Sequence, residues 1–129
     1  MEFQVEKKQV PLHFGLDFMD EINRLSGMVT GGVNVGAGAV AEQQRLEMGD
    51  PTALVRVIYA ASKGASPRPS QELVRKQIEQ INDVDELQSL FDSVLEEIKN
   101  SFPLQFQLKK MKAMAEKANR KTGATNATK

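Results

Sequence analysis

The chain has 129 residues, enough for one hydrophobic core and one domain. Seventeen basic residues balance seventeen acidic ones, so total charge steers the protein to neither nucleic acid nor membrane, and the lack of cysteine excludes disulfides, thiolate zinc sites and a cysteine nucleophile. With His13 the only histidine, neither a histidine-rich metal site nor a Ser-His-Asp triad is expected, and no apolar run approaches the ~20 residues that span a bilayer.

Phe3, Val5, Val10, Leu12 and Phe14 recur at a spacing of two around the polar tip Glu6 to Gln9, which predicts a β-hairpin over 3–14 with one face buried. Pro11 cannot donate to a ladder and should mark an edge. His13 lies on the same alternating strand and reads as a surface or structural residue. A hairpin is marginal alone, and Leu16 to Ser26 supplies a helix to cover it. Phe18, Ile22 and Leu25 form its stripe, and Gly27 ends it.

Five of the nine glycines then fall between Gly27 and Gly38. Gly36, Gly38 and Ala41 match the G-x-G-x-x-A spacing of dinucleotide sites, but that chemistry needs a preceding strand, a parallel βαβ unit and an acidic residue about twenty positions on. That position falls among Ile58, Tyr59 and Ala60, and no Gly-Lys-Ser/Thr follows for a P-loop. The stretch therefore reads as a loop running into a helix over about Val35 to Met48, whose small residues allow close backbone approach to a neighbour.

The segment Asp50 to Gly64 predicts the central element. Asp50 can accept hydrogen bonds from free amides of the first turn, and Pro51 suits the first helical position. From Ala53 to Ala61 only Arg56 interrupts the apolar side chains, so this helix has no solvent face and must be surrounded. Gly64 is expected to close it in the left-handed conformation. After a proline-containing turn, Ser70 caps a helix from Gln71 to about Ile81. Asp83 opens another, in which Val84, Leu87, Leu90, Phe91, Val94, Leu95 and Ile98 repeat at threes and fours. Its acidic face, with Asp85, Asp92, Glu96 and Glu97, reads as solvent exposure.

Pro103 breaks that pattern, and a last helix is predicted from Leu104 to about Asn119. From Lys109 onward seven basic residues stand against Glu116 alone, a net +6, leaving −6 on the first 108 residues. Leu104, Leu108, Met111 and Ala115 form its apolar side, with Met114 adjoining and Lys109, Lys110 and Lys112 on the basic face. A Met-bearing stripe flanked by lysines suits another protein's helix, and these eight residues are the candidate partner-binding set, with the Gly27–Gly38 segment beside them. The competing reading is that the helix simply closes the core. A DNA- or RNA-binding regulator using the basic helix is the functional alternative, although no aromatics are interleaved after Phe106 and no DNA-reading motif is present. The expected architecture is mainly α, five to six helices with an N-terminal β-hairpin. A globular domain over 1–102 precedes the basic helix at 103–121 and a disordered tail at 122–129.

The order of hairpin, HFGLDFMDEINRLSG, glycine-rich segment, MGDPTALVRVIYAASKG and the acidic DELQSLFDSVLEEIKNS helix resembles the tail assembly chaperones of long-tailed phages of Gram-positive bacteria. The likeness covers residues 3–101 and is most specific at Phe14, Gly15, Leu16 and Phe18 and at Gly49 to Ala61. It implies a non-enzymatic protein without a cofactor that coats the tape measure protein, keeps it soluble and helps the tail tube polymerise around it. The resemblance also implies the short form of a frameshifted pair whose longer form recruits tail tube protein, self-association, no membrane partner, and action in the host cytoplasm without retention in the virion.

Overall fold

Apolar alternation folds the first fourteen residues. In the computed structural model, β1 (Glu2–Val5) pairs antiparallel with β2 (Lys8–Pro11), with Phe3 opposite Val10. Phe3, Val5, Val10, Leu12 and Phe14 are all buried, while Pro11 and His13 are exposed. The structure describes residues 1–27, 29–30, 33–34 and 37–127, with side chains described over 1–27 and 37–119. Six helices follow among the described residues: α1 (Leu16–Ser26), α2 (Gly38–Glu47), α3 (Pro51–Ala61), α4 (Gln71–Glu79), α5 (Val84–Lys99) and α6 (Phe102–Ala127). Between α1 and α2, a minimal ribbon of β3 (Val29–Thr30) and β4 (Val33–Asn34) replaces the expected loop, and α2 starts at Gly38 rather than near Val35.

Helix α3 is the centre. Asp50 accepts a hydrogen bond from the Thr52 amide at 2.9 Å, and Pro51 opens the first turn. Leu54, Val57 and Ile58 are fully buried, each contributing about 1.5–3 kcal/mol relative to exposure. Helices α1, α2 and α4 pack around it, and the His13 amide donates to the Ala61 carbonyl, tying the hairpin's exit to its end. The expected left-handed closure at Gly64 is not used. Helix α3 stops at Ala61, and the Arg68 guanidinium takes the Tyr59 carbonyl at 2.8 Å while lying 3.8 Å over the Tyr59 ring. Arg68 thus satisfies a helix-end carbonyl from outside, and a glycine turn is unnecessary.

Two glycines do the work that only glycine can. Gly49, at φ +78°, reverses the chain between α2 and α3. At Gly38 a Cβ would lie 2.7 Å from the Ile22 carbonyl oxygen, so α2 starts against the backbone of α1. The Gly38 amide donates to Asn23 Oδ1 at 3.0 Å, which uses the group a phosphate would need. Gly36, the other glycine of the dinucleotide-like spacing, lies outside the described residues.

Two buried carboxylates cross-link these helices. Glu42 on α2, its side chain 1% exposed, receives Arg56 of α3 through both Nε and Nη2, Arg45 Nη1 at 2.6 Å and the Ser26 hydroxyl at 3.1 Å. Glu21 on α1 takes Arg24 Nε at 2.6 Å and Arg68 Nη1 at 2.7 Å. Burial pushes the Glu42 carboxyl up, but the hydrogen bonds from Arg56 and Arg45, the Arg56 charge and the Ser26 hydroxyl outweigh it and leave it below its ordinary value of 4.5.

The outer helices complete the core. Ser70 Oγ caps α4 at the Leu73 amide and Asp83 Oδ1 caps α5 at the Asp85 amide, while α4 ends at Glu79, short of the expected Ile81. Helix α5 buries Phe91, Val94 and Ile98 and packs on α2, and α6 packs on both. The Ser101 hydroxyl donates to the Phe14 carbonyl at 2.6 Å, joining the α5–α6 junction to the hairpin's exit. Helix α6 runs past the expected end near 119–121 and takes in 122–127 of the stretch expected to be disordered. Only backbone is described beyond Asn119, and residues 128–129 lie outside the described residues.

Replacing Gly38 by Ala should cost ~1–3 kcal/mol despite alanine's better helix propensity, because the new methyl meets a backbone oxygen that no side-chain motion can clear. The urea midpoint measures it. Replacing Glu42 by Gln should cost about 3 kcal/mol, the low end for a broken buried pair, because Arg56 and Arg45 are 26% and 45% exposed and can turn to water. Since the folded carboxyl titrates below 4.5, its contribution is complete above that pH and disappears as pH falls through the depressed value. Thermal melts from pH 7 to 3 should therefore show a flatter acid decline for the Gln variant than for the wild-type chain.

Candidate partner-binding surface

Helix α6 leaves the body gradually. Ser101 precedes it, Pro103 sits in the first turn where a missing N–H is tolerated, and Leu104 is 0% exposed, sealed into the same core as Phe91 and Ile98. Leu104 therefore leaves the candidate partner-binding set: it anchors the helix and is not presented to a partner. Leu108 and Met111 are half-buried, and every residue from Lys112 to Asn119 is exposed. The apolar line is continuous, but its first half closes the core and its second half overhangs it.

Beyond Met111 the overhang carries Met114, 72% exposed, and Ala115, with Lys109, Lys110 and Lys112 exposed around them. Seven of the eight expected residues thus lie on the exposed or half-exposed part of one helix. For the glycine-rich partner segment, side chains over 28–36 lie outside the described residues, so only its ends are placed: Gly27 closes α1 and Gly38 opens α2.

The opposite side of α6 holds two residues that the stripe does not include. Phe102 and Phe106 each stand about 200° around the helix from Leu104 and are 79% and 53% exposed. Their ring centroids are 6.4 Å apart, Lys110 Nζ lies 5.7 Å from the Phe106 ring, and with Gln105, Lys109 and Ala113 they line a mainly apolar depression of about 490 Å³. Two phenylalanines four residues apart among glutamines and lysines were the available signal, masked by their position off the main stripe.

Other concavities offer surface rather than chemistry. A depression of about 520 Å³ between the hairpin and α4–α5 is lined by Gln4, Gln9, Gln77, Gln80, Ser89 and Ser93 among others. Among the described residues no group of three His, Asp or Glu side chains is placed to hold a metal ion, and no helix is long and apolar enough to cross a membrane.

No curated protein and no solved structure is matched by the chain. Residues 2–112, from the first strand to just past Met111, match the model of the phage tail assembly chaperone protein family. The match takes in the hairpin, the α3 core and α6 as far as Lys112, and the chain belongs to the phage tail assembly chaperone family.

Proposed function

We propose that the chain is a non-enzymatic chaperone that binds the tape measure protein of a long-tailed phage of a Gram-positive host, keeps it soluble and helps the tail tube polymerise around it. The observation that carries this reading is the overhang of α6, where Met111, Met114 and Ala115 continue an apolar stripe past the body among Lys109, Lys110 and Lys112. A helix-rich partner exposes long apolar stripes before assembly, and a thioether-bearing helix adapts to many such stripes without demanding one geometry. Coverage must be reversible, which many modest contacts along an elongated partner achieve better than one tight site.

In this reading residues 1–102, together with the first turn of α6, are the supporting body, and the rest of 103–121 is the binding helix. The chain is the short form of a frameshifted pair, with the extension joined beyond the basic helix and directed to tail tube protein. Copies associate along the tape measure in the host cytoplasm and leave before the virion is complete.

Co-expression tests this. The tape measure protein should be soluble with the wild-type chain and aggregate without it. Lys109→Glu/Lys110→Glu/Lys112→Glu should reduce its recovery at least about tenfold while the melting temperature holds, because all three side chains are exposed. A chain ending at Leu108 keeps the Leu104 anchor and should also fail. Equal recovery with either variant would overturn the assignment of the helix, and a tape measure that stays soluble alone would overturn the function. Duplex DNA bound by the same lysines with a steep salt dependence would favour the regulator instead.

A further inference from the structure

Outside α6, an exposed and partly apolar groove lies between the end of α2 and the first three turns of α5. Leu46 and Phe91, both buried, form its floor, and Leu87 and Leu95 its half-buried side. Met48 and Val84 stand at its mouth, 80% and 84% exposed. The groove is open and has a volume of about 540 Å³. Its rim is acidic: Glu47 on one side and Asp92 on the other, with Asp85 and Glu96 repeating along the same edge of α5 as Asp92.

A ligand for this groove must be apolar in the middle and cationic at both sides, and the chain carries such a surface. On α6, Phe102, Phe106 and Ala113 form an apolar line with Lys109 and Lys110 beside it. That line cannot reach the groove of its own chain, because it lies on the side of α6 opposite Leu104, which is sealed into its own core. We infer that the α2–α5 groove receives the Phe102–Phe106 face of α6 from a second copy of the chain. The inference gives the self-association in the proposed function its two surfaces, and rests on that part of the reading. It leaves the Met111–Met114 side free for the tape measure protein.

Two features support this occupant over another protein. The body at −6 and the segment from Lys109 at +6 are opposite in charge within one sequence, so a head-to-tail meeting of copies sets Lys109 and Lys110 of one against the acidic rim of the next. The pair of rings also supplies the aromatic anchor that a short interface needs at its centre. Because groove and helix face are different surfaces, the contact is heterologous: each copy offers one of each, and repetition closes into a ring or continues as a helical filament.

The test uses the purified chain alone, so the tape measure protein plays no part in its outcome. Sedimentation should show the wild-type mass rising with concentration up to about 1 mM, the weak range suited to a reversible coat. Phe106→Glu should disable the helix face and Met48→Lys/Val84→Lys the groove, each weakening association by about tenfold or more while circular dichroism and melting temperature hold. Mixed, these two variants should form a 1:1 complex and grow no further, since each retains the surface the other lacks. A second pair guards against misfolding: Glu47→Lys/Asp92→Lys should associate weakly and regain association when mixed with Lys109→Asp/Lys110→Asp. A wild-type chain that stays monomeric overturns both this inference and the self-association. Association unchanged by the variants, or variants that remain monomeric when mixed, overturns the inference alone.

Discussion

Arg56 is the single charge on a helix that is otherwise wrapped on every side, and Glu42 meets it from α2 with a side chain 1% exposed. A carboxylate this deeply buried must be matched there, because an unpaired one would cost several kcal/mol, whereas Arg56, 26% exposed, keeps a path to water. The pairing fixes where α2 lies along α3. Gly38 then presses the start of α2 against the Ile22 carbonyl, and α5 and α6 pack onto the surface so formed. Leu104 seals α6 onto that surface and leaves the Phe102–Phe106 face on the outside.

Much of the frame was legible in residue order. Period-two alternation located the hairpin, the helix stripes located α1, α4 and α5, and Asp50-Pro51 located α3 with its cap. What could not be read was set by tertiary contact. Gly64 looks like a helix terminator, but Arg68, nine residues beyond the Tyr59 carbonyl it satisfies, makes that closure redundant. Glu42 stands among Gln43, Gln44 and Arg45 and looks like a surface residue. The only clue to its burial was that Arg56, alone in an apolar run, needed a carboxylate from elsewhere.

The candidate surface was legible as a helix and illegible as a face. Leu104, Leu108, Met111 and Ala115 repeat identically, and nothing in that repeat says where the body stops covering them. The structure draws the line at Met111: Leu104 belongs to the core, while Met114 and Ala115 do not. Periodicity reports that a stripe exists, and packing decides how much of it is left over. The same limit hid Phe102 and Phe106, which fall on what the repeat marks as the polar side.

Helix α6 is gripped at one end only. From residue 112 to 127 it extends ~24 Å, so contacts made along that length fall outside the packed core. A cantilever of this kind lets the exposed side chains from Lys112 to Asn119 vary without any load passing back to Arg56 and Glu42. The overhang can change while the body stays as it is.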